Sequence, residues 1–175
     1  MSRTRTATAT ATVVTIGAAA VTLLGQGVAA SATTEQDGVR AATARYHSVQ
    51  QAERDGYRGA GEPCVSSPAG AMGVHWTNAQ LIADPAVDPS KPEILLYAPD
   101  KHGRPVLAGV EYLVIDADQD LRTDADRPSL FGRAFQGPMP GHGPGMPVHY
   151  DLHRWVWSDN PSGEYALFNP TLSCG

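Results

Sequence analysis

The stretch Val106-Leu-Ala-Gly-Val-Glu-Tyr-Leu-Val-Ile115 holds three valines, an isoleucine and a tyrosine and no proline, the composition of a buried strand. A single charge, Glu111, stands inside it. Shorter runs of the same kind lie at Met72–Trp76, Ile94–Tyr97, Tyr150–Trp157 and Tyr165–Phe168, each bounded by Pro and Gly clusters. They predict strands of a mostly antiparallel sheet. Upstream of them all, Val39, Ala42, Tyr46 and Val49 recur at three- and four-residue steps between Thr33 and Tyr57, the period of an amphipathic helix. Thr33 or Thr34 can cap its start and Gly56 can end it. One helix ahead of several strands predicts an α+β fold, with the N-terminal helix packed on a curved sheet. Residues 116–127 are acidic and residues 137–147 are Gly- and Pro-rich; together they predict one long loop between strands, with no interior strand in the second part.

The N-terminus has a different character. Arg3 and Arg5 precede an apolar run from Val13 to Leu24, no further charge appears until Glu35, and Ala30-Ser31-Ala32 offers a small-x-small pattern. This is a signal-peptide layout, with an apolar run short of the roughly 20 residues that span a bilayer. Residues 1–32 are therefore expected to be removed, leaving residues 33–175 as one secreted, extracellular domain. Loss of the two arginines moves the formal charge from −5 to −7. That balance excludes a phosphate-backbone partner and disfavours a membrane surface after cleavage. In an exported chain the two cysteines, Cys64 and Cys174, are expected to form one disulfide.

Strand alternation supplies the first candidate site, because residues at i, i+2 and i+4 share a face. Glu111 alternates with Leu107, Leu113 and Ile115; Glu93 with Leu95 and Tyr97; His149, Asp151 and His153 with Trp155 and Trp157. Acids and imidazoles thus point where bulky apolar groups point, and a carboxylate there needs a partner. His75, Glu93, Glu111 and His153 on one concave face suit zinc, manganese or iron, with imidazole nitrogen and carboxylate oxygen as ligands. The same four suit metal-free acid/base work, or simply structural polar roles. A second candidate is Met139, His142, Met146 and His149, thioether and imidazole donors spaced along a flexible loop in the manner of a copper site; packing methionines are the plainer reading. A third is Asp116-x-Asp118-x-Asp120, which begins like a calcium loop. It then departs from that pattern, with Leu121 where the turn wants Gly and Arg127 where it wants Glu. No nucleophile elbow, phosphate-binding Gly loop, dinucleotide fingerprint or His-Glu-x-x-His helix is present, which weighs against serine hydrolases, nucleotide enzymes and zincin peptidases.

Read together, Gly70-Ala-Met-Gly-Val-His75, Lys91-Pro-Glu-Ile-Leu-Leu-Tyr97, Gly109-Val-Glu-Tyr112, Leu152-His-Arg-Trp-Val-Trp157 and Asn169-Pro with Cys174 resemble a family of small exported proteins of actinobacterial type. The resemblance runs from about Tyr46 to Cys174 and implies export and a shared single-domain fold, with no activity attached. Two function classes follow from the residues. The first is a secreted domain working through a His/Glu metal or acid-base centre. The second is a non-enzymatic ligand-binding or interaction protein, in which Tyr112, Trp155 and Trp157 line an apolar pocket.

Overall fold

The computed structural model describes residues 34–143 and 145–175; the expected signal segment 1–32 lies outside them. Among the described residues no helix is long and apolar enough to cross a membrane. Residues 34–43 form the first helix, α1, followed by a 3-10 turn at Ala44–His47 and by α2 (Val49–Arg54). The single helix predicted over this span is therefore interrupted. Ser48 is extended, with φ −91° and ψ 109°, and its hydroxyl accepts from Gln51 N, so a serine whose side chain competes for backbone donors starts a new helix. Gly56, at φ +100°, ends the segment as expected. A third helical turn, α3, covers Ala79–Ile82, capped by Asn78.

Among the described residues there are eight strands, in chain order β1 (Val65–Ser67), β2 (Gly70–Thr77), β3 (Ile94–Pro99), β4 (Pro105–Ile115), β5 (Ser129–Leu130), β6 (Arg133–Ala134), β7 (Gln136–Met139) and β8 (His149–Arg154). Six of them make one strongly curled antiparallel sheet, a half-barrel, in the order β1-β2-β3-β4-β8-β7, and β5 pairs with β6 alone. The predicted long loop is thus broken by three short strands. Pro138 is tolerated in β7 because that strand is an edge. Tyr165–Phe168, expected as a strand, is irregular. Carbonyls of this segment and of the residue before it serve Trp155 instead: Trp155 N donates to Glu164 O at 2.8 Å and Trp155 Nε1 to Ala166 O at 2.6 Å.

The sheet is buried on both faces, and this decides which residues can meet. One face carries Leu95, Tyr97, Leu107, Val110, Tyr112, Tyr150 and Leu152, clustered with Val39, Tyr46 and Ala52. The other carries Ile94, Leu96, Ala98, Ala108, Leu113 and Trp155. The strand parity of β4 changes midway. Leu96 pairs with Gly109 but Tyr97 pairs with Leu107, so Ala108 is an extra residue, a bulge that turns Leu107 to the face opposite Glu111 and Leu113. Cys64 and Cys174 form the expected disulfide, Cα atoms 5.6 Å apart, closing the chain's end onto the start of the sheet.

The Gly-Ala-Met-Gly stretch has a local cause. At Gly73 (φ +96°) a Cβ would stand 2.5 Å from Tyr97 O, and at Gly70 (φ +123°) 2.3 Å from Asn169 O. Only glycine permits both the conformation and the approach. Ala71 and Asn169 exchange backbone hydrogen bonds of 3.1 and 3.0 Å, which anchors β2 on the approach to His75.

Candidate metal centre

His75, Glu111 and His153 come from three strands of the one sheet. Register sets them side by side: His75 opposite Leu96, Glu111 opposite both Ile94 and His153. All three project on the side of Ile94 and Leu96. Glu111 Oε2 lies 3.2 Å from His75 Nε2 and 3.5 Å from His153 Nε2, and one donor atom from each residue lies within 4.8 Å of the others. Glu111 and His153 are buried, while the His75 side chain keeps 24% of its exposure.

These contacts are close without being hydrogen bonds. Glu111 Oε2 and both ring nitrogens of His153 are buried with no hydrogen-bond partner. Orphaned buried polar atoms are costly, so a group of them facing one point calls for a cation or protons. Burial works against the Glu111 charge, but the imidazoles of His153 and His75 outweigh it and hold its carboxyl low, to about 2. Burial lowers the His153 pKa, against the pull of Glu111. At His75 burial also lowers the value, yet the Glu111 carboxylate wins and raises it. The two imidazoles are thus pushed in opposite directions around one carboxylate, His153 down and the more exposed His75 up.

Asp151 extends the row. It shares the β8 face with His153, is buried, and its Oδ1 lies 3.9 Å from His153 Nδ1 with no hydrogen bond of its own. Burial, then the Glu111 charge, pushes it up to about 7. A cavity of about 460 Å³ opens onto these residues, floored by His75, Glu111, Asp151 and His153 and walled by Met72 and Ile94. Two clefts of about 560 and 550 Å³, beside Trp155 and beside Trp76, are larger, but neither is lined by any of the three grouped donors.

Glu93, expected as the fourth member, is not in the group. It precedes β3 on the parity of Leu95 and Tyr97, and its Oε2 accepts Leu113 N at 3.1 Å. Alternation compares each strand only with its own bulky neighbours, and with both faces apolar that comparison assigns no common side. Asp151 is visible by the same alternation, and its place two residues before His153 is the usable signal. The loop set is partly gathered: His142 packs edge-on against His149 with centroids 5.1 Å apart, Met146 Sδ accepts His142 N at 3.4 Å, and Met139 pairs with His149 through backbone register. His142 and Met146 rim the cavity above the His/Glu group. The pocket expected of Tyr112, Trp155 and Trp157 does not form. Tyr112 and Trp155 belong to cores on opposite faces, and Trp157 Nε1 is spent on Thr43 Oγ1 at 3.1 Å.

No protein-family model, curated protein or solved structure matches the chain; the chemistry of the site is carried by its own geometry.

Proposed function

We propose that the protein is an exported metal-binding domain in which His75 Nε2, Glu111 Oε2 and His153 Nε2 hold one divalent transition ion, zinc first, with a coordination position open to the cavity. The observation that carries the reading is the unbonded Glu111 Oε2 and His153 Nε2, buried and turned toward His75. Two ligands about 2.1 Å from a tetrahedral ion stand about 3.4 Å apart; of the three donor pairs, the two that include Glu111 are separated by 3.2 and 3.5 Å, and the third, His75 with His153, lies within 4.8 Å. Three protein ligands with an open position match catalytic rather than structural zinc; the same donors suit iron or manganese.

When bound, such an ion supplies Lewis acidity and acidifies water toward neutrality. The chain's own part is positional. Glu111 supplies the negative charge, His153 is held neutral by burial, and a small turn of Asp151 would let it accept from His153 Nδ1–H and fix the tautomer that leaves Nε2 free. Met72, Ile94 and Met146 give the cavity apolar walls against water and for the carbon part of a ligand. The N-terminal helical segment, on this reading, packs on the other face of the sheet and leaves the cavity side accessible. The disulfide suits an oxidising, extracellular setting.

Elemental analysis of protein exported and purified without a chelating column tests the proposal. One transition ion per chain is expected, and Glu111→Gln or His153→Ala should cut uptake by roughly tenfold or more. Less than about a tenth of an equivalent, with no thermal shift on adding zinc, manganese or copper, counts against it.

A further inference from the structure

The acidic segment after β4 holds a second set of donors, remote in kind from the first because it offers oxygen alone. Two of its five aspartates are matched by arginines: Arg122 Nη2 lies 2.6 Å from Asp120 and Arg127 Nη2 3.0 Å from Asp124. Among the described residues no cationic side chain forms an ion pair with Asp116, Asp118 or Asp126.

The fold buries the first of these. Asp116 N donates to Val148 O at 2.9 Å, and the Gln119 amide stitches the two segments by donating to Asp116 O and to Val148 O and accepting from Val148 N. Asp116 is left 1% exposed, with neither carboxylate oxygen hydrogen-bonded. The Asp126 carboxyl is brought beside this segment by its bond from the next residue's backbone, Ala117 N. Asp126 is better supplied: Oδ1 accepts Tyr150 OH and Oδ2 accepts Ala117 N, both at 2.9 Å. The Tyr150 hydrogen thus goes to Asp126, and none reaches Asp116. Burial first, then the charges of Asp118 and Asp126, raise the Asp116 pKa, as expected of a carboxylate that lacks a counter-ion.

We propose that the segment is a calcium site, in which the carboxylates of Asp116 and Asp126 bind the ion, Asp118 adds charge, and water completes the shell. Carboxylate donors without nitrogen or sulfur select hard cations, and an irregular loop suits calcium better than the strict octahedron of magnesium. The arrangement is not the calcium loop of a helix pair: its second ligand comes from Asp126, and Arg127 is engaged by Asp124 and Phe135 O. The carboxylates converge less tightly than the His75 group, so affinity belongs to the weak range of extracellular modules, a Kd on the order of 10⁻⁴ to 10⁻³ M.

Calorimetric titration of the EGTA-treated full chain with calcium chloride tests this, with Glu111→Gln as a control for the other centre. One calcium per chain is expected in the wild type and in Glu111→Gln, together with a rise in Tm. Asp116→Asn should weaken binding by about tenfold or more, the order seen when a metal's ligand set is disturbed. Absence of calcium heat and of a Tm shift in the wild type would overturn the proposal, leaving Asp116 and Asp126 as a pair sharing a proton. Equal affinity in Asp116→Asn would overturn it as well. Should that variant lose its far-UV spectrum, the exposed Asp118→Asn serves instead: a roughly threefold weakening, as for a lost neighbouring charge, supports the site. Unchanged affinity refutes it.

Discussion

Glu93 gives a stability prediction whose sign is unusual for a carboxylate. It is 3% exposed and its side chain accepts from Leu113 N, but burial outweighs the backbone hydrogen bonds and pushes its pKa from 4.5 up to about 7. The folded chain therefore keeps a proton that the unfolded chain releases. Stability from this group is complete below about pH 4.5, falls as pH rises, and is lost above about 7. With about 1.4 kcal/mol for each unit of pKa difference, the loss between pH 4.5 and 8 is on the order of 3 kcal/mol. Glu93→Gln keeps the shape of the protonated acid and removes the titration. Urea unfolding of both proteins in EDTA at pH 5, 6, 7 and 8 measures the difference. The Glu93→Gln variant should match the wild type within about 1 kcal/mol at pH 5 and exceed it by roughly 2 to 3 kcal/mol at pH 8. A difference between the two proteins that does not change with pH would mean that Glu93 does not hold a proton in the folded chain.

Three further outcomes follow from the packing. Cys64→Ala with Cys174→Ala opens a loop of 110 residues and should cost about 4 to 5 kcal/mol in the chain-entropy account, read from urea midpoints. Glu164→Gln strands Arg154, which is fully buried, bonded to Glu164 at 2.7 Å and stacked 3.9 Å over the Phe131 ring. Because the Glu164 side chain is 33% exposed, the loss should be about 1 to 3 kcal/mol, below that of a wholly buried pair. Gly73→Ala drives a Cβ toward Tyr97 O at an unfavourable φ; a loss above about 2 kcal/mol is expected by thermal unfolding. Metal uptake should fall with it, since His75 stands two residues on.

Composition made the main strands legible: β2, β3, β4 and β8 all fall where runs of branched and aromatic residues lie. So did the disulfide, which needed only two cysteines in an exported chain. Register was not legible. Ala108 looks like any strand residue, yet as a bulge it reverses the side taken by Leu107 relative to Glu111. Period-two reasoning therefore pairs His153 with Glu111 correctly in kind but also admits Glu93, whose carboxylate is taken up by Leu113 N and stays out of the group. The short strands β5 to β7 are hidden because segments of two to four residues are too short to show alternation. The late segment Tyr165–Phe168 carries the opposite error. The Tyr165 ring stands over Arg154 and joins no ladder.

X-ray absorption at the zinc edge of the zinc-loaded protein reads out whether two imidazole nitrogens and one carboxylate oxygen hold a single ion. Nitrogen and oxygen scatterers are expected at about 2.0 to 2.2 Å with outer-shell scattering from two imidazoles, reduced to one in His153→Ala. A sulfur shell near 2.3 Å, or a spectrum unchanged in His153→Ala, would contradict this set of ligands.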